Sequence, residues 1–138
     1  MHVGPYRPDM LRAEFSRLMS WAKKRKLRTG KWFAYFHDEP GGRRPASKFR
    51  SEACLEIRGR AKPEGKIRIK KLPKQRVASV VFNPNQISPD LIYGGLYGWV
   101  QYSGLRNAGP PREIYTSDPW KNARAWANVE VQMPVKRK

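Results

Sequence analysis

The chain repeats its own plan after about 79 residues, and that repetition limits what it can fold into. Gly4-Pro5 is answered by Asn83-Pro84, and Pro8-Asp9-Met10-Leu11 by Pro89-Asp90-Leu91-Ile92, at offsets of 79 and 81. Gly30 and Pro40 bracket an aromatic segment whose counterpart is bracketed by Gly109 and Pro119, both 79 residues on. Glu52-Ala53-Cys54-Leu55 returns as Glu130-Val131-Gln132-Met133 at offset 78. Anchors in one order with so little drift describe a duplicated strand–helix–strand–strand unit. Two copies at this period make a pseudo-twofold domain rather than a solenoid. The expected class is therefore α+β, with a groove at the seam between the repeats.

Local patterns fill in the unit. Leu11, Phe15, Leu18, Met19 and Ala22 recur at helical spacing behind Asp9 as N-cap, and Lys23-Lys24-Arg25-Lys26 suits a helix C-terminus. Lys31 to His37 reads as an aromatic strand. Glu39-Pro40, Gly41-Gly42 and Arg44-Pro45 mark a loop. In Glu52 to Ile57, Ala53, Leu55 and Ile57 alternate with Glu52, Cys54 and Glu56, the pattern of a strand with one apolar face. The second copy is expected to open with strand material over Lys66 to Val81, interrupted at Leu72-Pro73, and then a helix capped by Asp90. Gly94, Gly95 and Gly98 lie inside that helix, which suggests either tight helix–sheet packing or room for a ligand. Glu113-Ile114-Tyr115 and Val129 to Val135 close the copy as strands. Only three residues precede Gly4-Pro5, so the first strand of the first repeat is expected to be missing or shortened. The boundaries expected are repeat 1 over about 1–58, a linker over about 59–65, repeat 2 over about 66–135 and a basic tail at 136–138, all one domain.

Charge separates the copies. Residues 1–76 hold 22 Lys+Arg against 7 Asp+Glu, residues 77–135 hold 4 against 4, and the tail adds three cations to reach +18. A basic first half favours an acidic partner, whether nucleic acid, an anionic membrane surface or an acidic protein, although it equally serves as a solvated surface. No apolar run approaches the ~20 residues that span a bilayer, and no signal peptide is evident, so a cytoplasmic protein is expected. The single cysteine, Cys54, rules out a disulfide framework and reads as an ordinary strand residue; no metal-ligand cluster and no cofactor motif is present.

Several segments resemble one family. They are Gly4-Pro5-Tyr6; Tyr35-Phe36-His37-Asp38-Glu39-Pro40 with Phe49-Arg50-Ser51-Glu52-Ala53-Cys54; Leu72-Pro73; and, most specifically, Gly109-Pro110-Pro111-Arg112-Glu113-Ile114-Tyr115 followed by Val129-Glu130-Val131-Gln132-Met133-Pro134-Val135. Together they resemble the GyrI-like small-molecule-binding domain, which is similar to the effector-binding domain of AraC- and MerR-type regulators. The resemblance implies a groove for hydrophobic, often cationic, small molecules, with an acidic residue of the last strand as counter-charge. By position that residue is Glu130. Some relatives stand alone, some are fused to a DNA-binding helix-turn-helix, one group inhibits DNA gyrase, and one clade hydrolyses cyclopropane-bearing genotoxins. No helix-turn-helix precedes the domain in this sequence, and Asn83-Pro84-Asn85 replaces a Gly-Pro-Tyr.

The residues themselves point the same way. Strand alternation puts Glu130 and Gln132 opposite Val129, Val131 and Met133, with Glu52 as the mate of Glu130 in the first copy. Two carboxylates facing one cavity would raise one pKa or recruit a cation. Aromatic rings beside a carboxylate receive lipophilic cations. The expected ligand-binding set is Glu130, Tyr115, Trp99, Tyr35, Glu52 and Tyr6. The leading reading is a stand-alone module that senses or sequesters a hydrophobic, cationic or aromatic ligand. The alternatives are a basic-face interaction with DNA or a nucleic-acid enzyme such as gyrase, and hydrolysis using Glu130 and Tyr115. His2 and His37 read as isolated.

Overall fold

The computed structural model describes residues 2–6, 8–38, 42–72, 74–115 and 128–138. The expected turn residues Glu39-Pro40 and Asp118-Pro119 lie outside them. The chain is α+β and divides into two compact units, Met1–Pro73 and Lys74–Lys138.

The first unit contains β1 (His2–Val3), α1 (Pro8–Lys24), β2 (Arg28–Phe36) and β3 (Arg50–Arg58). Its strands are antiparallel in the order β1-β3-β2. α1 begins one residue ahead of the expected cap, with Pro8 in its first turn, where a missing N–H costs nothing. The helix lies on the face of the sheet that carries Trp32, Ala34 and Ser51. There Phe15 meets Trp32 edge-on at 5.1 Å and Ser51 Oγ donates to Met10 Sδ. Leu11, Phe15, Trp21, Ala22, Trp32 and Ala34 form the core. Burying each of the larger side chains is worth roughly 1.5–3 kcal/mol. The alternation read over residues 52–57 holds, with Ala53 and Leu55 opposite Ala34 and Trp32 on the helix side.

The second unit contains β4 (Val77–Phe82), α2 (Pro89–Tyr102), β5 (Leu105–Asn107), β6 (Arg112–Tyr115) and β7 (Val129–Arg137). Its antiparallel order is β6-β7-β4, with β5 also pairing β7. The last strand of each copy thus lies between two others, and the units share that order, with β5 an addition in the second. The expected shortening of the first strand is plain: β1 has two residues where β4 has six. Ala78, Phe82, Leu96, Val100, Tyr115, Val129, Val131 and Met133 make the second core.

Four expectations change. Lys66 to Lys70 does not form a strand; apart from one isolated bridge between Glu64 and Ile67, the described residues of the connector ahead of Val77 are irregular. Its isoleucines alternate with Lys66, Arg68 and Lys70, but no partner strand takes up its backbone, so alternation alone builds nothing. Ser88, not Asp90, is the N-cap of α2, and Pro89 and Asp90 occupy its first turn. β7 runs on through Arg137, because β5 pairs Leu105 with Arg137 and Arg106 with Lys136, so most of the basic tail is strand. The glycines of α2 do not serve close packing: all three are exposed, and among the described residues a Cβ at Gly94, Gly95 or Gly98 would meet nothing within 4 Å.

Candidate functional site

Strand register places the two repeat carboxylates in the same position of their respective units. Glu52 of β3 pairs with Tyr35 of β2, and Glu130 of β7 pairs with Ile114 of β6. Tyr35 and Ile114 are themselves 79 residues apart, so the duplication extends to cross-strand partners. In both units the carboxylate projects from the sheet face opposite the helix. Their surroundings differ.

Glu52 is held by the Lys70 ammonium and the His37 imidazole. Lys70 Nζ lies 2.6 Å from Oε2 and His37 Nε2 2.8 Å from Oε1. Burial pushes the Glu52 carboxyl up, but the Lys70 and His37 hydrogen bonds and charges outweigh it and hold the pKa below its ordinary value. Mutual repulsion of paired carboxylates is therefore not what governs Glu52, and His37 is not isolated. Tyr35 stacks on His37 with ring centroids 6.1 Å apart, beside its cross-strand partner Glu52.

Glu130 has a neutral partner. Among the described residues its hydrogen bond comes from the Gln132 side-chain amide, and Gln132 Oε1 in turn accepts from Arg112 Nε at 2.7 Å. An amide thus relays between guanidinium and carboxylate. Val81 and Ile114 flank Glu130 on the adjacent strands, giving it an apolar setting.

The helix-facing side of the second unit holds a carboxylate that strand reading missed. Glu113 is partly buried between α2 and β6. Tyr93 donates to its Oε2 at 3.0 Å, and the Tyr115 hydroxyl stands 3.5 Å from Oε1. Burial pushes the Glu113 carboxyl up despite these bonds. Burial and the neighbouring carboxylate push both tyrosines well above the ordinary phenol range. The sequence did hold a signal: Glu113 has the same strand parity as Tyr115, so an inward Tyr115 brings Glu113 inward with it. Lys70 left no such signal, because the alternation around it builds no strand and so does not say what its side chain meets.

The remaining expected site residues are dispersed. Tyr115 is 2% exposed and lies on the helix side, so β6 turns it away from the face that bears Glu130. Trp99 is 53% exposed on the outer face of α2. Tyr6 is a clasp. Its hydroxyl donates to the Asp38 carbonyl at 2.7 Å, with the Arg50 carbonyl at 3.1 Å as alternative acceptor, and accepts from Asp38 N–H at 3.0 Å. Its ring packs on Phe36 and Phe49. The Arg50 guanidinium fixes the Asp38 carboxylate, with Nε–Oδ2 and Nη2–Oδ1 both at 3.1 Å, and Arg44 adds a third contact. Tyr35 and Glu52 are brought together; Glu130 stands with Gln132 and Arg112. Among the described residues, no three His, Cys, Asp or Glu side chains gather as a metal site. No helix in them is long and apolar enough to cross a membrane.

Two units, each with a carboxylate at the same register on the sheet face opposite its helix, define a duplicated α+β domain. The chain belongs to the GyrI-like small molecule binding domain family, whose profile matches residues 1–136. Among solved structures it is similar to the EcmrR C-terminal domain, with a TM-score of 0.73 and 20% identity over all of this chain and 88% of that one. It is also similar to EcmrR in a cryo-EM structure of an EcmrR–DNA complex, with a TM-score of 0.71 and 21% identity. That match covers 99% of this chain but 52% of the other, so this chain spans about half of that regulator. No curated protein sequence matches.

Proposed function

We propose that the chain is a binding module that senses or sequesters a hydrophobic small molecule carrying positive charge, with Glu130 as the counter-charge. One observation carries this reading. Among the described residues Glu130 is met by a neutral amide, whereas the carboxylate at the same position of the other unit is already met by the Lys70 ammonium. A carboxylate set between Val81 and Ile114, and met among the described residues by an amide rather than directly by a cation, gains most from a ligand that supplies one. Family membership supports a small-molecule ligand; the preference for a cation is read from the side chains.

Tryptophan-fluorescence titration with matched cationic and neutral lipophilic dyes tests it. Glu130→Gln keeps the shape and removes the charge, so cationic-dye binding should weaken by roughly 1–3 kcal/mol, the scale of a charge-assisted hydrogen bond. The neutral dye should change little. Equal losses for both dyes would mean that Glu130 shapes the site rather than charging it, and no saturable binding of any dye would count against a binding module altogether.

A second reading has its own support. The cations of the connector, Lys62, Lys66, Arg68, Lys70, Lys71, Lys74 and Arg76, all lie exposed. Such a surface suits nucleic acid or an acidic protein. Direct DNA binding would weaken steeply with salt, and binding that stays weak at ~50 mM salt would remove it. Hydrolysis has less support, since Glu130 and Tyr115 project from opposite faces of the second unit's sheet.

A further inference from the structure

Glu52 and Glu130 share a register, yet among the described residues a cation of the chain directly meets Glu52 and an amide meets Glu130. The donor, Lys70, lies in the irregular connector, beyond the mutual Glu64–Ile67 backbone hydrogen bonds and before β4 begins. Its side chain is half exposed while that of Glu52 is 13% exposed, so a solvent-side ammonium reaches onto a sheltered carboxylate. On the same sheet face stand Phe33, Tyr35 and His37. Phe33 meets Tyr35 edge-on at 5.8 Å, and Tyr35 stacks on His37. A carboxylate beside a row of aromatic rings is the chemistry that recognises a lipophilic organic cation.

We propose that this face of the first unit is a second recognition site for a lipophilic organic cation, closed in this structure by Lys70 acting as a tethered competitor. The proposal rests on the reading of Glu130 as a ligand counter-charge, because it assigns the same task to the equivalent carboxylate. A tethered ammonium competes at a high effective concentration, so an ordinary free cation is excluded. A ligand that also covers Phe33 and Tyr35 gains apolar contact that a lysine tip does not make. Lys70, already half in water, is readily released. The two units would then differ in function through the connector: one site open, the other gated.

The test is calorimetric and anisotropy titration of the full chain with rhodamine 6G, a lipophilic cationic dye. The proteins are wild type, Lys70→Met, Glu130→Gln, Lys70→Met/Glu130→Gln and Lys70→Met/Glu52→Gln, each checked for folding by circular dichroism. Lys70→Gln replaces Lys70→Met if the latter does not fold. Wild type should bind one dye. Lys70→Met should bind a second, at least tenfold tighter than any second phase in wild type, and should lose it with Glu52→Gln. Lys70→Met/Glu130→Gln should retain one site. A folded Lys70 variant with wild-type stoichiometry and affinity overturns the gate and leaves Lys70–Glu52 as a structural ion pair. A second site that survives Glu52→Gln overturns it as well. If Glu130→Gln leaves wild-type binding intact, the reading of Glu130 fails, while a Glu52-dependent gain in Lys70→Met still supports the gate.

Discussion

The Tyr93 hydroxyl donates to Glu113 Oε2 at 3.0 Å, fastening α2 to β6 through a carboxyl that burial makes reluctant to ionise. Its folded pKa lies above the ordinary 4.5, so between the two values the folded chain holds more protons than the unfolded chain. Stability attributable to Glu113 is therefore full below pH 4.5 and declines as pH rises through the folded value. Glu113→Gln keeps an acceptor for Tyr93 and removes the ionisation. The variant should match wild type in acid and exceed it at neutral pH, by about 1.4 kcal/mol for each unit of upward displacement. Melting temperatures of both proteins from pH 4 to 8 check this. A constant gap across that range would show that the ionisation contributes nothing.

Asp38 should show the opposite slope. The Arg50 hydrogen bond, aided by the Arg50 and Arg44 charges, holds its pKa below 3.8. Its contribution is present above that value and is lost as pH falls through the folded pKa. Asp38→Ala should lower the melting temperature at pH 7, with the difference closing in acid. A pH-independent difference would point instead to the lost backbone acceptor, since Asp38 Oδ2 also receives Arg50 N–H at 2.7 Å.

Tyr6→Phe separates ring packing from hydroxyl bonding. The stack on Phe49 would remain, while Asp38 N–H and the Asp38 carbonyl lose their partner. A loss of roughly 1–2 kcal/mol in denaturant unfolding is expected, the cost of leaving partly buried polar groups unmet. No loss would show that water replaces the hydroxyl.

Ala at Gly94, Gly95 or Gly98 should stabilise the chain. Each position is exposed with open space at Cβ, so the change mainly removes unfolded-state entropy, worth about 0.5–1 kcal/mol per site. Urea midpoints of the single and triple variants should rise nearly additively. A fall would mean that this face is covered in the folded protein.

The sequence alone determined the repeat, and with it the α+β class, the order of helix and strands shared by the copies and the matching position of Glu52 and Glu130. Periodicity and strand alternation are local properties, and matching anchors carry them from one copy to the other. It also determined that Val129, Val131 and Met133 face inward. What it could not determine was which charges meet. Lys70 reaches Glu52 from eighteen residues away through a segment without regular structure, and His37 joins from the other strand of the pair. Glu113 turns inward to Tyr93 because a helix covers that face, and the glycines of α2 turn outward because Leu96 and Val100 claim the inner one. Side-chain pairing depends on distances between segments remote in sequence, and packing of helix against sheet sets those distances. That packing decided why one carboxylate of the pair carries a cation of the chain's own and the other carries an amide.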